Sequence, residues 1–167
     1  MDKIDVIIIG AGIAGITTAY YLQKNFPNIT YKIMESRSDV GGTWDQMKFP
    51  GVRADNDMYT YGFSFNPWQG SIIGKGQEIK RYINDTAEKF NIKEHIIFDT
   101  QVTELFWKNN QWTTKTNHKN FTSQYVICST GSRDRKNPHL PKFKNKVSDA
   151  PRSNSVKKYI NEINEKK

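Results

Sequence analysis

Cysteine is nearly absent from this sequence, since Cys128 is the only one among 167 residues. A single thiol excludes an internal disulfide framework and is typical of a reducing compartment. Long apolar runs are also missing: none approaches the roughly 20 residues that a helix needs to cross a bilayer, and the first residues lack the pattern of a signal peptide. We therefore expect a soluble, cytoplasmic protein without a transmembrane segment. Cys128 lies in an apolar stretch, which predicts a buried and inert thiol.

Histidine is also sparse, with three residues. His95, His118 and His139 are scattered along the chain without the spacing of metal ligands or of a catalytic triad. We therefore predict no metal site.

Positive charge is concentrated at one end of the chain. Residues 1–131 carry 14 Lys and Arg against 13 Asp and Glu, whereas residues 132–167 carry 11 against 4. This contrast predicts one domain over 1–131, followed by a basic tail or truncated linker over 132–167 that is poorly ordered. Short Lys-rich ends are usually solvated, so no nucleic-acid partner is expected.

The order of the elements indicates an α/β fold. A β-branched run over residues 4–9 predicts a strand buried on both faces, and a helix over 13–24 and a second strand over 30–35 complete a βαβ unit. Apolar residues at helical spacing predict a further helix over 76–90, with a polar face that needs no special role. Three alternating segments and Asn-rich turns after residue 98 predict an antiparallel meander, whose apolar end, 125–129, favours a return to the parallel sheet.

Residues 36–74 show no sustained period and are rich in Gly, Pro, Asp, Asn and aromatic residues. This composition predicts a long ordered loop region, and loops of such length usually carry function. Phe63, Phe65 and Trp68 are expected to fill a core beneath it.

The strongest local motif is the GxGxxG sequence of residues 10–15, which lies between the first strand and the helix. Gly10 permits a tight turn, Gly12 lets the backbone approach a pyrophosphate, and Gly15 allows close packing of helix on strand. The helix N-terminus then offers unpaired N–H groups to the phosphates. Glu35, twenty residues beyond Gly15, would accept hydrogen bonds from a ribose. The pattern predicts a dinucleotide site.

Arg37 leaves the choice of dinucleotide open at this point. An arginine near the end of the second strand can accept a 2′-phosphate and so indicate NADP. The glycine motif by itself does not decide between FAD and NAD(P).

Three further motifs resemble a known family. They are GGTWD at 41–45, FPGVRAD at 49–55 and DMYTYGF at 57–63. In this order they are similar to the flavin-binding half of Baeyer-Villiger monooxygenases, in particular the branch of the ethionamide-activating enzyme, over roughly residues 3–131. The resemblance implies a Rossmann-like FAD-binding domain with a parallel sheet and an inserted antiparallel meander. It also implies oxygenation of a small ketone or thioether through a flavin peroxide, with NADPH as the second cofactor.

The resemblance also implies a role for individual residues. The ADP part of FAD would be held by Gly10, Gly12, Ala14, Gly15 and Glu35, and the flavin side would be lined by Gly42, Thr43, Trp44, Asp45 and Gln46. Asp55 would lie beside the flavin ring and help to place a catalytic arginine from a later part of the chain. Arg53 and Ala54 would lie near the nicotinamide cofactor, and Val102 on the adenine side.

The sequence departs from this family at its C-terminal end. The second GxGxxG fold for NADPH and the linker fingerprint FxGxxxHxxxW do not occur, which predicts a chain truncated before the NADPH domain. One hypothesis is a split enzyme whose NADPH domain is encoded separately and which is inactive without it. The alternatives are a non-catalytic flavin-binding module or degenerate remnant, and a small NAD(P)-binding oxidoreductase.

Overall fold

A computed structural model describes residues 4–131, and all structural statements refer to that part of the chain. In chain order the elements are β1 Ile4–Ile9, α1 Ile13–Asn25, β2 Tyr31–Met34, α2 Thr43–Gln46, α3 Met58–Tyr61, α4 Gly76–Lys89, a 3-10 turn Lys93–His95, β3 Ile96–Ile97, β4 Val102–Lys108, β5 Gln111–Thr116 and β6 Asn120–Cys128. The predicted basic tail lies outside the described residues, so its order and its boundary remain predictions. Within residues 4–131 no helix combines the length and apolarity that a membrane crossing requires.

The six strands form one sheet in the order β3-β2-β1-β6-β5-β4. β1 lies parallel to both β2 and β6, and β2 lies parallel to β3. β4, β5 and β6 are antiparallel neighbours. This arrangement confirms the predicted Rossmann-like α/β fold with an antiparallel meander.

β6 belongs to both halves of the sheet. Its first residues, Asn120 to Ser123, pair with β5, and the stretch from Ser123 to Cys128 pairs with β1. Ser123 takes part in both ladders and is buried. The predicted return of the chain to the parallel sheet is confirmed, and it occurs within one continuous strand.

Two apolar layers cover the two faces of the sheet. On one face Ile8 and Ile33 pack with Ile16 of α1 and with Ile79 and Ile83 of α4. On the other face the buried residues are Ile7, Ile9 and Met34, against which residues of the meander strands pack, among them Val102, Phe121 and Val126. Helices α1 and α4 thus cover the first face, whereas on the second face β1 and β2 pack against residues from other strands of the same sheet.

The segment 36–74 contains two one-turn helices, α2 and α3, that the absence of a sustained period did not predict. Phe63 and Trp68 are buried beneath it, and Phe65 stacks on Tyr20 with ring centroids 3.7 Å apart. The prediction that these aromatic residues fill a core is confirmed. Aromatic stacking of this kind stabilises a loop that has little regular hydrogen bonding of its own.

The prediction of a buried Cys128 is wrong, because this residue is exposed. It occupies the last position of β6, opposite Ile9 in the register with β1. The apolar run that suggested burial ends with the half-buried Val126 and Ile127. Cys128 therefore lies where the strand leaves the core, next to the glycine turn.

Candidate functional site

The carboxyl ends of β1, β2 and β6 meet at the glycine turn. Gly10 follows β1 with φ of +104°, and a Cβ there would lie 2.5 Å from the carbonyl oxygen of Ser129, just beyond β6. A Cβ on Gly15 would lie 1.9 Å from the carbonyl oxygen of Gly10. Both distances are far too short for a non-bonded contact with backbone. The turn therefore requires glycine at both positions.

Helix α1 begins in this turn with its N-terminal backbone donors uncapped. Gly12 is the N-cap, no side chain caps the helix, and the first turn contains no acidic residue. The first N–H groups of an α-helix have no partner within the helix, and together with the helix dipole they favour an anion. Ala14 lies in this first turn and is exposed. The geometry and charge fit a pyrophosphate.

A second pair of glycines lies directly against the turn. The N–H of Gly41 donates to the carbonyl oxygen of Ala11 at 3.0 Å. Gly42 has φ of +57°, and a Cβ on it would lie 2.9 Å from the Cα of Gly12. Backbone from two distant segments is thus in contact at Gly12 and Gly42. We call the surface formed by residues 10–15 and 41–42 the glycine cradle.

The residues after the cradle form α2 and differ in their exposure. Thr43 and Gln46 are exposed. Trp44 is half-buried, and its Nε1 donates to the hydroxyl of Tyr61 at 3.1 Å. Thr43 and Gln46 are therefore accessible to a ligand, whereas the indole of Trp44 is held by α3.

Glu35 lies beside the glycine cradle, only 3% exposed. Its Oε2 accepts the N–H of Ala11 at 2.7 Å, and its Oε1 accepts the N–H of Arg37 at 3.0 Å. The hydroxyl of Ser36 also lies 3.3 Å from Oε1. A carboxylate has about four acceptor positions, so Glu35 keeps capacity for a ligand hydroxyl while its backbone bonds fix its position.

A chain of alternating charges continues from Glu35. The Nε of Arg37 lies 3.7 Å from Glu35 Oε1 and 3.2 Å from Asp45 Oδ2. The other oxygen of Asp45 lies 2.7 Å from the Nζ of Lys80, which in turn lies 2.8 Å from Asp39 Oδ2. We call these five residues the charge chain. It joins the end of β2 to α2 and α4.

The charge chain shifts the pKa values of Lys80 and Asp39. Hydrogen bonds to Asp39 and Asp45 raise the pKa of Lys80. Burial opposes ionisation of Asp39, but hydrogen bonds from Lys80 and from the N–H of Val40 outweigh it and lower the pKa of this carboxyl. Both groups are therefore charged near neutral pH. The expectation that the polar face of α4 needs no special role is corrected by Lys80, whose contact depends on how α4 packs against α2.

The remaining predicted residues lie outside the glycine cradle. Arg53 is exposed and forms an isolated bridge with Lys75, Ala54 is buried, and Asp55 is exposed. Among residues 4–131 no hydrogen bond or ion pair joins Asp55 to the cradle. The structure thus brings together the glycine residues and Glu35, whereas no hydrogen bond or ion pair within residues 4–131 links the 53–55 segment to them.

Val102 lies close in the fold to Glu35. It is half-buried at the start of β4 and packs against Ile7, Ile9 and Met34. Two residues earlier, the N–H of Thr100 donates to the carbonyl oxygen of Glu35 at 2.8 Å.

The shape, charge and hydrogen-bonding groups of the site fit an adenine dinucleotide. The glycine cradle admits close approach of a diphosphate, uncapped N–H groups can stabilise its charge, and Glu35 is positioned to accept a ribose hydroxyl. No group of three potential metal-binding side chains occurs within the described residues. The fit is to an organic cofactor held by backbone and one carboxylate.

Comparisons with known proteins agree with this fit. The family model of the NAD(P)-binding Rossmann-like domain matches residues 8–72. The FAD-containing monooxygenase EthA of Mycobacterium tuberculosis H37Rv is 44% identical over 115 residues, which are 67% of this chain and 24% of that protein. The putative FAD-containing monooxygenase MymA of the same strain is 38% identical over 148 residues, covering 83% of this chain and 30% of that protein.

A solved structure shows the same fold. The structure of OTEMO in complex with FAD and NADP superposes with a TM-score of 0.73 at 30% identity, covering 87% of this chain and 28% of that chain. The present chain therefore spans less than a third of the length of the relatives that it matches. What it shares with them is the part that contains the glycine cradle.

Proposed function

Because this chain belongs to the FAD-containing monooxygenases of the Baeyer-Villiger type, of which it matches the flavin-binding part, we propose that residues 4–131 bind FAD for such an enzyme. The observation that carries the proposal is the contact between Gly12 and Gly42 beside the buried carboxylate of Glu35. Gly42 has no room for a side chain, because its Cβ would lie 2.9 Å from the Cα of Gly12. A surface of bare backbone at a helix N-terminus is what a diphosphate requires.

Different residues of the site would contact different parts of FAD. The diphosphate would meet the first-turn N–H groups of α1, including that of Ala14, and the backbone of Gly42. Glu35 would accept the ribose hydroxyls, and Val102 would flank the adenine. Thr43, Trp44 and Gln46 would line the flavin side. Asp45 would contribute there through its backbone, because its carboxylate is paired with Arg37 and Lys80.

The residues of the 53–55 segment would act only together with a further part of the enzyme. Asp55 is exposed and can therefore meet a cationic side chain from outside residues 4–131. In this proposal it positions a catalytic arginine, while Arg53 and Ala54 lie near the nicotinamide of NADPH. When bound, FAD would accept hydride from NADPH and activate O2 for transfer of one oxygen atom to a small ketone or thioether.

Oxidation of NADPH would need more than the residues that bind flavin. It spans about 30% of the length of MymA, and the sequence contains no second GxGxxG motif for NADPH. We propose that oxygenation requires an NADPH-binding domain in addition to residues 4–131, and that these residues by themselves take up flavin without oxidising NADPH. Added NADPH under air should leave the absorbance at 340 nm constant. Steady NADPH oxidation by the chain alone would contradict this part of the proposal.

Flavin uptake itself can be tested with two glycine variants. Titration of FAD with the chain, followed by flavin fluorescence, should show saturable binding that Gly42→Ala weakens by tenfold or more, because the new methyl group would press on Gly12. Gly51→Ala is the matched control: Gly51 also has a positive φ, of +78°, but a Cβ there would meet nothing within 4 Å. Equal FAD affinity for both variants would contradict the proposed location of the cofactor.

The same titration separates the alternative functions. A degenerate remnant would take up no FAD although its circular dichroism shows a folded protein. A small NAD(P)-binding oxidoreductase would bind a nicotinamide cofactor and not FAD. No contact within residues 4–131 favours either alternative over flavin binding.

A further inference from the structure

The side chain of Arg37 lies where a 2′-phosphate would be recognised. Its Nε is 3.7 Å from Glu35 Oε1, and Glu35 is the carboxylate assigned to the ribose. A free arginine at this position is the usual means of accepting a 2′-phosphate, because its guanidinium can form two charge-assisted hydrogen bonds to the phosphate oxygens. By position alone, Arg37 would favour NADP.

The side chain of Arg37 is not free, however. Its Nε lies closer to Asp45, at 3.2 Å, than to Glu35. Asp45 is only 7% exposed, so its charge is poorly screened by water. Moving Arg37 onto a phosphate would leave this buried carboxylate with one cation fewer.

Lys80 holds Asp45 in the orientation that meets Arg37. Its Nζ lies 2.7 Å from Asp45 Oδ1, which leaves Oδ2 directed at Arg37. The two cations therefore face opposite oxygens of one carboxylate, Lys80 at hydrogen-bond distance and Arg37 as an ion pair whose buried Nε makes no hydrogen bond. Asp39 completes the arrangement by binding Lys80 at 2.8 Å.

The net charge of the charge chain also opposes a phosphate. Three carboxylates, those of Glu35, Asp39 and Asp45, face the two cations Arg37 and Lys80, which gives a net charge of −1. A phosphate monoester carries about −1.5 to −2 at neutral pH. A ribose hydroxyl carries no charge and needs only an acceptor, which Glu35 provides.

We propose that Asp45 is a specificity-determining residue: by holding Arg37, it reserves the adenosine end of the site for dinucleotides with a free ribose 2′-hydroxyl and excludes those with a 2′-phosphate. The inference rests on the proposed function, since it assigns the ligand class of the same site. It accounts for the presence of an arginine beside a site for FAD, which has no 2′-phosphate.

NAD+ and NADP+ are suitable probes, since they differ only in the 2′-phosphate. Each is used to displace FAD from the chain, and the ratio of the two inhibition constants is compared between variants. The wild-type chain should favour NAD+. Asp45→Asn keeps the shape of the side chain and releases Arg37, and the ratio should shift toward NADP+ by about tenfold or more, the range of a charge-assisted contact to phosphate.

Two further variants identify the cause of that shift. The double variant Arg37→Gln/Asp45→Asn should lose the gain, because the guanidinium that binds the phosphate is gone. Asp39→Asn removes a neighbouring carboxylate that contacts Lys80 but not Arg37, and should change the ratio less than Asp45→Asn by a wide margin. An equal shift of the ratio in Asp39→Asn would mean that net charge alone sets the preference between NAD+ and NADP+, and would overturn the role of Asp45.

Arg37→Gln by itself tests the inference without altering Asp45. If Arg37 is already held, its removal should lower the affinity for NADP+ only slightly, through the change of net charge from −1 to −2. A tenfold loss would show that Arg37 binds the 2′-phosphate in the wild-type chain, and would refute the inference. Failure of the proposed function has a different signature. In that case the wild-type chain binds no FAD at all, whereas failure of this inference leaves FAD binding intact and the nucleotide ratio insensitive to Asp45.

Discussion

Replacing Glu35 by glutamine tests how the glycine cradle is held together. The carboxylate accepts two backbone N–H groups, from Ala11 at 2.7 Å and from Arg37 at 3.0 Å, and is 3% exposed. Glutamine offers one oxygen, so its amide group must face one of these donors. Leaving a buried donor unpaired costs roughly 1–3 kcal/mol. The ion pair with Arg37 adds little, because it is long and Arg37 is partly exposed.

We expect Glu35→Gln to lower the free energy of unfolding by about 2 kcal/mol. With a urea dependence of roughly 2 kcal/mol per molar, the midpoint of unfolding should fall by about 1 M. Unfolding in urea followed by circular dichroism measures this directly. Glu104→Gln is the matched control, because Glu104 is paired with Lys115 at 2.9 Å on the exposed edge strand β4.

The control variant should shift the midpoint by much less, since exposed ion pairs contribute roughly 0–1 kcal/mol. If Glu35→Gln and Glu104→Gln gave equal midpoints, the carboxylate would not be holding the turn. The reasoning from its two backbone hydrogen bonds would then be refuted.

Three other measurements follow from the fold. The pKa of Asp39 is lowered in the folded state. The ionised carboxylate therefore stabilises the fold above its unfolded pKa of about 4, and this contribution is lost as pH falls through the lower folded pKa. When urea unfolding is repeated at pH 3, the wild-type chain should lose more stability than Asp39→Asn. Ile83→Ala should cost about 2–4 kcal/mol because Ile83 is fully buried, whereas Ile73→Ala, at a site 39% exposed, should cost well under half of that in the same assay. Cys128 is exposed and should react with a thiol reagent in the folded chain, and reaction only upon unfolding would contradict its position.

The sequence predicted those parts of the fold that are determined by residues close together in the chain. β1 has the predicted bounds, and α1 and α4 end within one residue of them. Strong apolar periodicity and the glycine turn determine these elements almost independently of their surroundings. The glycine cradle was predicted in part for the same reason, since the tight turn at Gly10 requires glycine whatever packs on it.

The parts that were not predicted depend on contacts between distant segments. α2 and α3 are each one turn long, too short to show a period, and the structure gives Asp57 as the N-cap of α3 through its bond with the N–H of Thr60. The pairing of Lys80 with Asp45 requires that α4 packs on α2. Nothing in the spacing of these two residues in the sequence indicates that contact.

The exposure of Cys128 was mispredicted for a related reason. An apolar run predicts a buried strand, but it does not show where along the strand the covering layer ends. The register with β1 puts Cys128 opposite Ile9, at the last pair before the glycine turn. Burial of its neighbours therefore does not extend to the thiol.

The most direct test of the central claim is the absorbance spectrum of the purified chain after incubation with excess FAD and gel filtration. We predict that flavin elutes with the protein at about one FAD per chain, and that Gly42→Ala greatly reduces this amount while Gly51→Ala does not. A folded wild-type chain that elutes without flavin would contradict the claim that residues 4–131 form a flavin-binding site.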